Sequence, residues 1–441
     1  MAYGKRIAIR GTYLDAALLN KGGLGALATK GMLVMALLLA LMPLMAENAE
    51  AANSVQASPA LYIDGQKTAF KTMTVAGRSE NMIGLRPAAD ALKLALAWSA
   101  AGKEWTLTGG KQPIRVKLNA KTAYVGDKAT TLAVPLRQEK STVYISLRFV
   151  IEASGGEMQY YKDDGIQVIW ALSHPQDKLN RSMMDGDAEA VKLALRDWKA
   201  ATLPMGVDGL RPYMFAAASL PVTKVLIEAG FPVDYREDPY ADVIMPGAGY
   251  TLLHEAAGYG QPEVVRYLLD QGADPMLAST LWMDEEGWKP IDHAIHGLIY
   301  SPILLQLSGQ SYNEGIMQDY LDTIQLLRPY SGLQIYFKDR KGDILATGAD
   351  LKPEVESASA PEATDKLKIA FKDPEKLERI TADNLGSTIM IFINDIEIGF
   401  VKVPKAMTDG TLSFVPKDNL QEQVSGVAAM LRLALDGSDD N

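Results

Sequence analysis

The stretch TLLHEAAGYGQPEVVRYLLDQGADP, running from Thr251 to Pro275, decides the reading of this chain. Its apolar residues recur at helical spacing, and the run closes on Gly272-Ala273-Asp274-Pro275. The same opening pattern stands upstream at Gly209-Leu210-Arg211-Pro212-Tyr213-Met214-Phe215-Ala216-Ala217. It returns downstream at Gly287-Trp288-Lys289-Pro290-Ile291-Asp292-His293-Ala294, so offsets of 40 and 38 residues separate the three starts. After the first start come Val225 to Gly230 with Val233-Asp234, which correspond to Val264 to Gly272 with Ala273-Asp274. A helix pair of this kind leaves an apolar face open unless a neighbour stacks on it, so about three or more copies are needed for stability.

The unit closely resembles an ankyrin repeat, whose Thr-Pro-Leu-His-x-Ala helix start and Gly-Ala-Asp-Pro turn are matched most clearly at 251–275. A degenerate unit at Asp185-Gly186-Asp187 with Ala190 to Leu193 would cap the N-terminal side, giving an array over 179–330. The resemblance implies that His254 fastens its turn by hydrogen bonding to backbone. It also implies a groove of hairpin tips and inner helices that takes a protein partner. The residues expected to make that contact are Tyr250, Trp282 and Trp288. Two arrangements remain open for them: exposed anchors, or rings packed under the insertion from Leu277 to Glu286.

Upstream, residues 60–170 read as short strands with turn punctuation, and the text repeats at an offset of 62. Leu61 to Lys67 aligns with Ala123 to Ala129, Ile83 to Leu92 with Ile145 to Ser154, and Trp98 with Tyr160. Each copy gives strand, Asp/Gly turn, strand, a Leu-Arg step into a short helix, then an aromatic opening another strand, and the two copies pair to bury a shared face. Tyr62-Ile63-Asp64-Gly65, Tyr144 to Ala153 with Gly155-Gly156, and Ile166 to Trp170 resemble the copper amine oxidase N-terminal-like domain, here expected over 55–171. Ser146 and Gly84 stand where that family usually has proline. Residues 55–170 contain no histidine, and a protein copper site needs imidazole or sulfur ligands, so the resemblance brings no copper chemistry. Arg86 and Arg148, at equivalent helix entries, are expected to hold strand carbonyls or a carboxylate.

Downstream of 331, Leu333 to Phe337 is a strand candidate, and the polar run 349–366 reads as an extended or mobile excursion. Ile380 to Gly386 carries a helix-start signature, Thr388 to Ile398 is an apolar hairpin turning at Asn394-Asp395, and Gln421 to Leu435 is an amphipathic helix. Residues 371–437 resemble the extracytoplasmic head of the SecD protein-export subunit, within an α+β domain expected over 332–437. Ile396 replaces the usual hairpin glycine. The fold class is therefore multidomain α+β: a β-rich two-repeat domain, an α-helical ankyrin array and a C-terminal α+β domain.

At the N-terminus, Lys5, Arg6, Arg10, Lys21 and Lys30 precede the uncharged run Met32 to Met45. This run is shorter than the roughly 20 residues a spanning helix needs, and Pro43 followed by Ala49-Glu50-Ala51 supplies a break and a cleavage site. Residues 1–52 are read as a signal peptide cleaved after Ala51, or else as an uncleaved anchor. Both place the remainder outside the cytoplasm, secreted or on the cell envelope.

Composition narrows the chemistry. With 44 basic and 54 acidic residues the net charge is −10, which argues against nucleic acid as a partner, and against a membrane other than through the N-terminal segment. The chain has no cysteine, which removes thiol catalysis, disulfides and thiolate metal sites, and only four histidines. His254-Glu255 lacks the second histidine of a zincin, because Gly258 stands there. His293 and His296 beside Asp292 could share a helix face but lack an evident third metal ligand, and His174 is expected to face solvent in a linker. The acidic runs Asp163-Asp164, Asp284-Glu285-Glu286 and Asp439-Asp440 read as solvated surface rather than cation sites. Gly109-Gly110-Lys111 reads as a turn between strands, and no nucleophile elbow or P-loop appears.

No cofactor and no metal is expected. The reading is an exported, non-catalytic binding or scaffold protein of the bacterial envelope, with wall association through its N-terminal domain. Two competing classes stand beside it: a carboxylate-dependent hydrolase of wall polymer, and a purely structural spacer.

Overall fold

The computed structural model describes residues 59–75, 77–163, 166–197, 215–235, 249–279, 287–307, 311–360, 363–416 and 421–436. The leader read at 1–52 lies outside the described residues, as do Trp282, Asp164, the acidic run 284–286 and the pair 439–440. Two compact units form. Among the described residues, one comprises those from 59 to Ala294 with Thr323–Gly332, and the other Ile295–Asp322 with those from Leu333 on.

The first unit opens with the duplicated β domain. Copy one supplies β1 (Ala60–Ile63), β2 (Gln66–Lys67), β3 (Lys71–Val75), β4 (Arg78–Gly84), α1 (Leu85–Ala91), β5 (Ala95–Ser99) and β6 (Glu104–Thr108). After the added strand β7 (Ile114–Lys117), copy two supplies β8 (Thr122–Val125), β9 (Lys128–Thr131), β10 (Arg137–Glu139), β11 (Thr142–Ser146), α2 (Leu147–Ser154), β12 (Glu157–Asp163) and β13 (Ile166–Leu172). The copies are interlocked rather than side by side. The first hairpin lies against the closing strands of the second copy, in the order β12-β13-β1-β2, with β1 parallel to β13. The second hairpin lies with the closing strands of the first, in the order β5-β6-β7-β8-β9. Between them runs β10-β11-β4-β3, where Ile83 pairs with Ile145, its own counterpart in the repeat. A pseudo-twofold axis therefore passes through this pair. One core results, holding Leu61, Ile83, Leu107, Ile114, Ile145 and Val150 from both copies.

Local sequence explains the corners. Asp64 and Gly65, with φ of 48° and 76°, make the tight hairpin turn between β1 and β2. Ser146, at the family's proline position, caps α2: its Oγ accepts the Phe149 N–H at 3.2 Å and donates to Glu80 at 2.6 Å. Arg148 binds a carboxylate as expected, but that of Glu152 one turn along its own exposed helix face, at 3.1 Å. Arg86, at the equivalent entry to α1, is likewise exposed.

The helical array follows: α3 (His174–Met184), α4 (Ala188–Asp197), α5 (Leu220–Glu228), α6 (Leu252–Gly258) and α7 (Pro262–Asp270). His174 is not a solvent-facing linker residue. It opens α3, half-buried, with Nδ1 3.1 Å from the Gly155 carbonyl. Next come α8 (Pro290–Leu307) and α9 (Glu314–Ser331), each 18 residues long against seven and nine for α6 and α7.

In the second unit, β14 (Ile335–Lys338), β15 (Ile344–Thr347), β16 (Leu351–Ala360), β17 (Ala363–Phe371), α10 (Pro374–Asp383), β18 (Thr388–Ile393), β19 (Ile396–Lys402), β20 (Thr411–Pro416) and α11 (Gln421–Leu435) follow in sequence. The strands make one sheet in the order β15-β14-β18-β19-β20-β17-β16. The polar run at 349–366 is thus no loose excursion. It folds into the β16–β17 hairpin, whose edge α11 covers, with Arg432 donating to the Val355 carbonyl at 3.0 Å. Alternating Lys, Glu and Ser hide this strand from a hydropathy reading, because one face of it is solvated. The helix start also moves: Asp373 caps α10, accepting the Glu375 N–H at 2.9 Å, and 380–386 forms that helix's end and the turn after it. Asn394, with φ of 51°, turns the β18–β19 hairpin as read from the sequence. At Gly399 a Cβ would come within 2.6 Å of the Val415 carbonyl oxygen, so the two strands approach there only because the residue is glycine.

Candidate functional site

The tips of the helical array are built by caps. Thr251 precedes α6; its Oγ1 accepts the His254 N–H at 3.4 Å, while its own N–H donates to His254 Nδ1 at 3.1 Å. This reciprocal box performs the turn-fastening role that the motif implies for His254, and it leaves the ring proton on Nε2. One repeat reaches the next at the Asp positions: Asp234 accepts the Asp274 N–H at 3.1 Å across a 40-residue separation. Asp274 in turn accepts the Met276 N–H at 2.8 Å, which sets the shape of the Gly-Ala-Asp-Pro tip.

Around these caps an aromatic and imidazole cluster forms, centred on His293. Tyr250, His254 and Trp288 meet it edge to face, with ring centroids at 4.9, 5.3 and 5.5 Å. Tyr250 and Trp288 are half-buried, each ring packing on His293, while residues 280–286 of the insertion expected to cover them lie outside the described residues. Ser279 joins them, a residue the sequence reading did not single out. Its N–H and Oγ both donate to the Trp288 carbonyl, at 2.7 and 3.0 Å, and Oγ lies 3.3 Å from His293 Nε2. A Cβ at Gly287 would overlap the Ser279 carbonyl, so a glycine is required where this clasp closes. A serine and a histidine at this distance invite a nucleophilic reading, but Ser279 is buried and its hydroxyl proton is engaged by a carbonyl. The pair is a clasp for the tip.

His296 stacks on Tyr300 at 4.3 Å, whereas His293 faces the tip cluster, so the i, i+3 imidazoles have different neighbours. Among the described residues no group of three or more His, Asp or Glu could hold a metal ion. Asp292, beside His293, accepts the Lys289 N–H at 3.0 Å at the start of α8. Met276, 46% exposed at the end of its tip turn, offers apolar surface that helical periodicity could not reveal, because it lies past the helix.

The comparisons bear on each part. Residues 62–169 match the model of the copper amine oxidase N-terminal domain, and residues 179–279 match that of ankyrin repeats, in three copies. The N-terminal and ankyrin domains are thus those the sequence motifs pointed to, and both are non-catalytic kinds of domain. Ankyrin repeats are modules of protein–protein interaction. The ankyrin match ends before α8 and α9, the two long helices. Similar solved structures include SecDF, described as a membrane component that enhances protein export. That match has 15% identity and a TM-score of 0.23, and covers 28% of this chain and 71% of that one. A second, of SecDF in a super-membrane-facing form, has 17% identity and a TM-score of 0.23 over 28% of this chain and 21% of that one. No curated protein matches the chain. Among the described residues no helix is long and apolar enough to cross a membrane.

Proposed function

We propose that this protein is an exported binding protein of the bacterial cell envelope. Its ankyrin array captures a protein partner at the tips, and the duplicated β domain spaces or attaches the array. The observation that carries the proposal is the tip cluster: Tyr250 and Trp288 stand half-exposed on a scaffold of caps and a serine–histidine clasp, with exposed Met276 on the neighbouring turn. Aromatic rings held rigid and partly open are suited to act as anchors, because little side-chain entropy remains to be lost on binding. The basic, then apolar, N-terminal text supports export, and the net charge of −10 supports a protein rather than a nucleic-acid partner.

The test is photo-crosslinking on intact cells, with the tagged full chain carrying a crosslinker at position 250. A discrete, saturable adduct that trypsin-accessible cells also lose would support both partner and location. Tyr250→Ala and Trp288→Ala should each weaken capture at least tenfold while leaving the melting temperature of the array within a few degrees. An adduct unaffected by Trp288→Ala, or protection of the whole chain from external protease, would overturn the reading.

A further inference from the structure

The first helix of the ankyrin array docks on the β domain through polar groups. Asp64, at the β1–β2 turn, is buried, and its Oδ1 accepts the N–H of Ser173, the cap of α3, at 2.7 Å. The Asp64 N–H is committed to the Ala171 carbonyl at 3.0 Å, which fixes the turn that carries it. His174 then meets the Gly155 carbonyl, and Arg181 pairs with Glu157 at 3.0 Å while holding Asp177 on its own helix. The buried face of α3 carries Gln176 and Asn180, hydrogen-bonded to each other at 2.9 Å. Asp64 Oδ2 and Asn180 Nδ2 have no partner among the described residues. An interface of buried polar groups, incompletely satisfied, is stable only within a narrow margin.

We propose that this joint is a proton-operated latch: α3 is held against the β domain while Asp64 is protonated and is released more readily once Asp64 ionises. A buried carboxylate is costly unless several partners compensate it. Here burial outweighs the Ser173 hydrogen bonds and the charge of Lys93, and it pushes the Asp64 carboxyl from 3.8 up to about 6. Detaching α3 lets water reach the carboxyl, which then returns toward its ordinary value. The closed joint therefore binds the proton more tightly than the open one, and closure is favoured below pH 4 and lost progressively as pH rises to 6. Lys93 favours the ionised form and moderates the effect. His174 Nδ1 lies 3.1 Å from the Gly155 carbonyl, which can only accept, so this contact is a hydrogen bond donated by the ring. The Arg181–Glu157 pair is solvent-exposed and screened, so it holds α3 weakly at either pH.

Hydrogen exchange of the full chain, followed by mass spectrometry between pH 4 and 8 and corrected for intrinsic rates, tests the latch. In peptides covering 60–68 and 170–182 the opening constant should rise about 100-fold across this range and level off above pH 6–7. Asp64→Asn retains the acceptor and tolerates the left-handed turn, so it should stay closed and lose the pH dependence. His174→Gln should keep the wild-type slope. A flat wild-type profile, an undiminished slope in Asp64→Asn, or transfer of the slope to His174 would overturn the proposal. Should Asp64→Asn fail to fold, a carbon-detected titration of wild-type Asp64 decides: a midpoint near 4 overturns the latch, and one near 6 supports it.

Discussion

Truncating Ile83 or Ile145 should loosen both copies of the β domain, wherever the substitution is made. Each side chain is fully buried, and the two face each other on the pseudo-twofold axis. Ile→Ala removes about three carbons, worth roughly 0.8 kcal/mol each, or about 2.4 kcal/mol of transfer energy. A cavity between facing strands adds to this, for about 3–4 kcal/mol per site. The second truncation enlarges a cavity that the first has already opened, so the double variant should cost about 1 kcal/mol less than the sum. Hydrogen exchange read peptide by peptide on the full chain supplies the assay. Ile83→Ala should lower protection not only at 78–85 but also at 122–131 and 142–151, which belong to the other copy. Ile83→Val, expected to cost about 1 kcal/mol, gives a graded control. Loss confined to residues 60–108, or strict additivity of the pair, would refute the interlocked arrangement and favour two independent units.

Two further outcomes follow from local geometry. Thr251→Ala removes the Oγ1 side of the reciprocal box with His254 and should cost about 1–2 kcal/mol in thermal melts of the array, while Thr251→Ser should recover most of it. In the C-terminal unit burial opposes ionisation of Asp350, yet the Lys376 ammonium at 2.7 Å, the Thr347 N–H and the Lys372 charge hold its carboxyl below the usual value. The stability this contributes is present above pH 3.8 and fades as pH falls through the depressed value. Lys376→Met should move the Asp350 midpoint upward in an NMR titration, and an unmoved midpoint would show the pair to be idle.

The sequence by itself determined the order of modules and much of their internal form. A 62-residue offset, a 40-residue offset and the Thr251 to Pro275 text carry that information because helix starts, tight turns and caps are set by neighbours within a few residues. His254 was assignable for the same reason, since it acts on backbone three residues away, and Asn394 because a left-handed turn residue is a local choice, although the Gln334 N–H that its side chain accepts at 3.0 Å lies 60 residues away. Only the tertiary structure decided how these pieces combine. The repeat text is equally compatible with two separate units, and the exchange of hairpins between copies rests on strand pairings spanning about a hundred residues, such as Leu61 with Ile169. The partners of His174, Asp64 and Ser279 lie on other turns of the chain, so neither the burial that shifts Asp64 nor the clasp that positions Trp288 leaves a local mark. The β16–β17 hairpin escaped detection because its partner strands, rather than its own polar residues, supply the reason for it to be a strand.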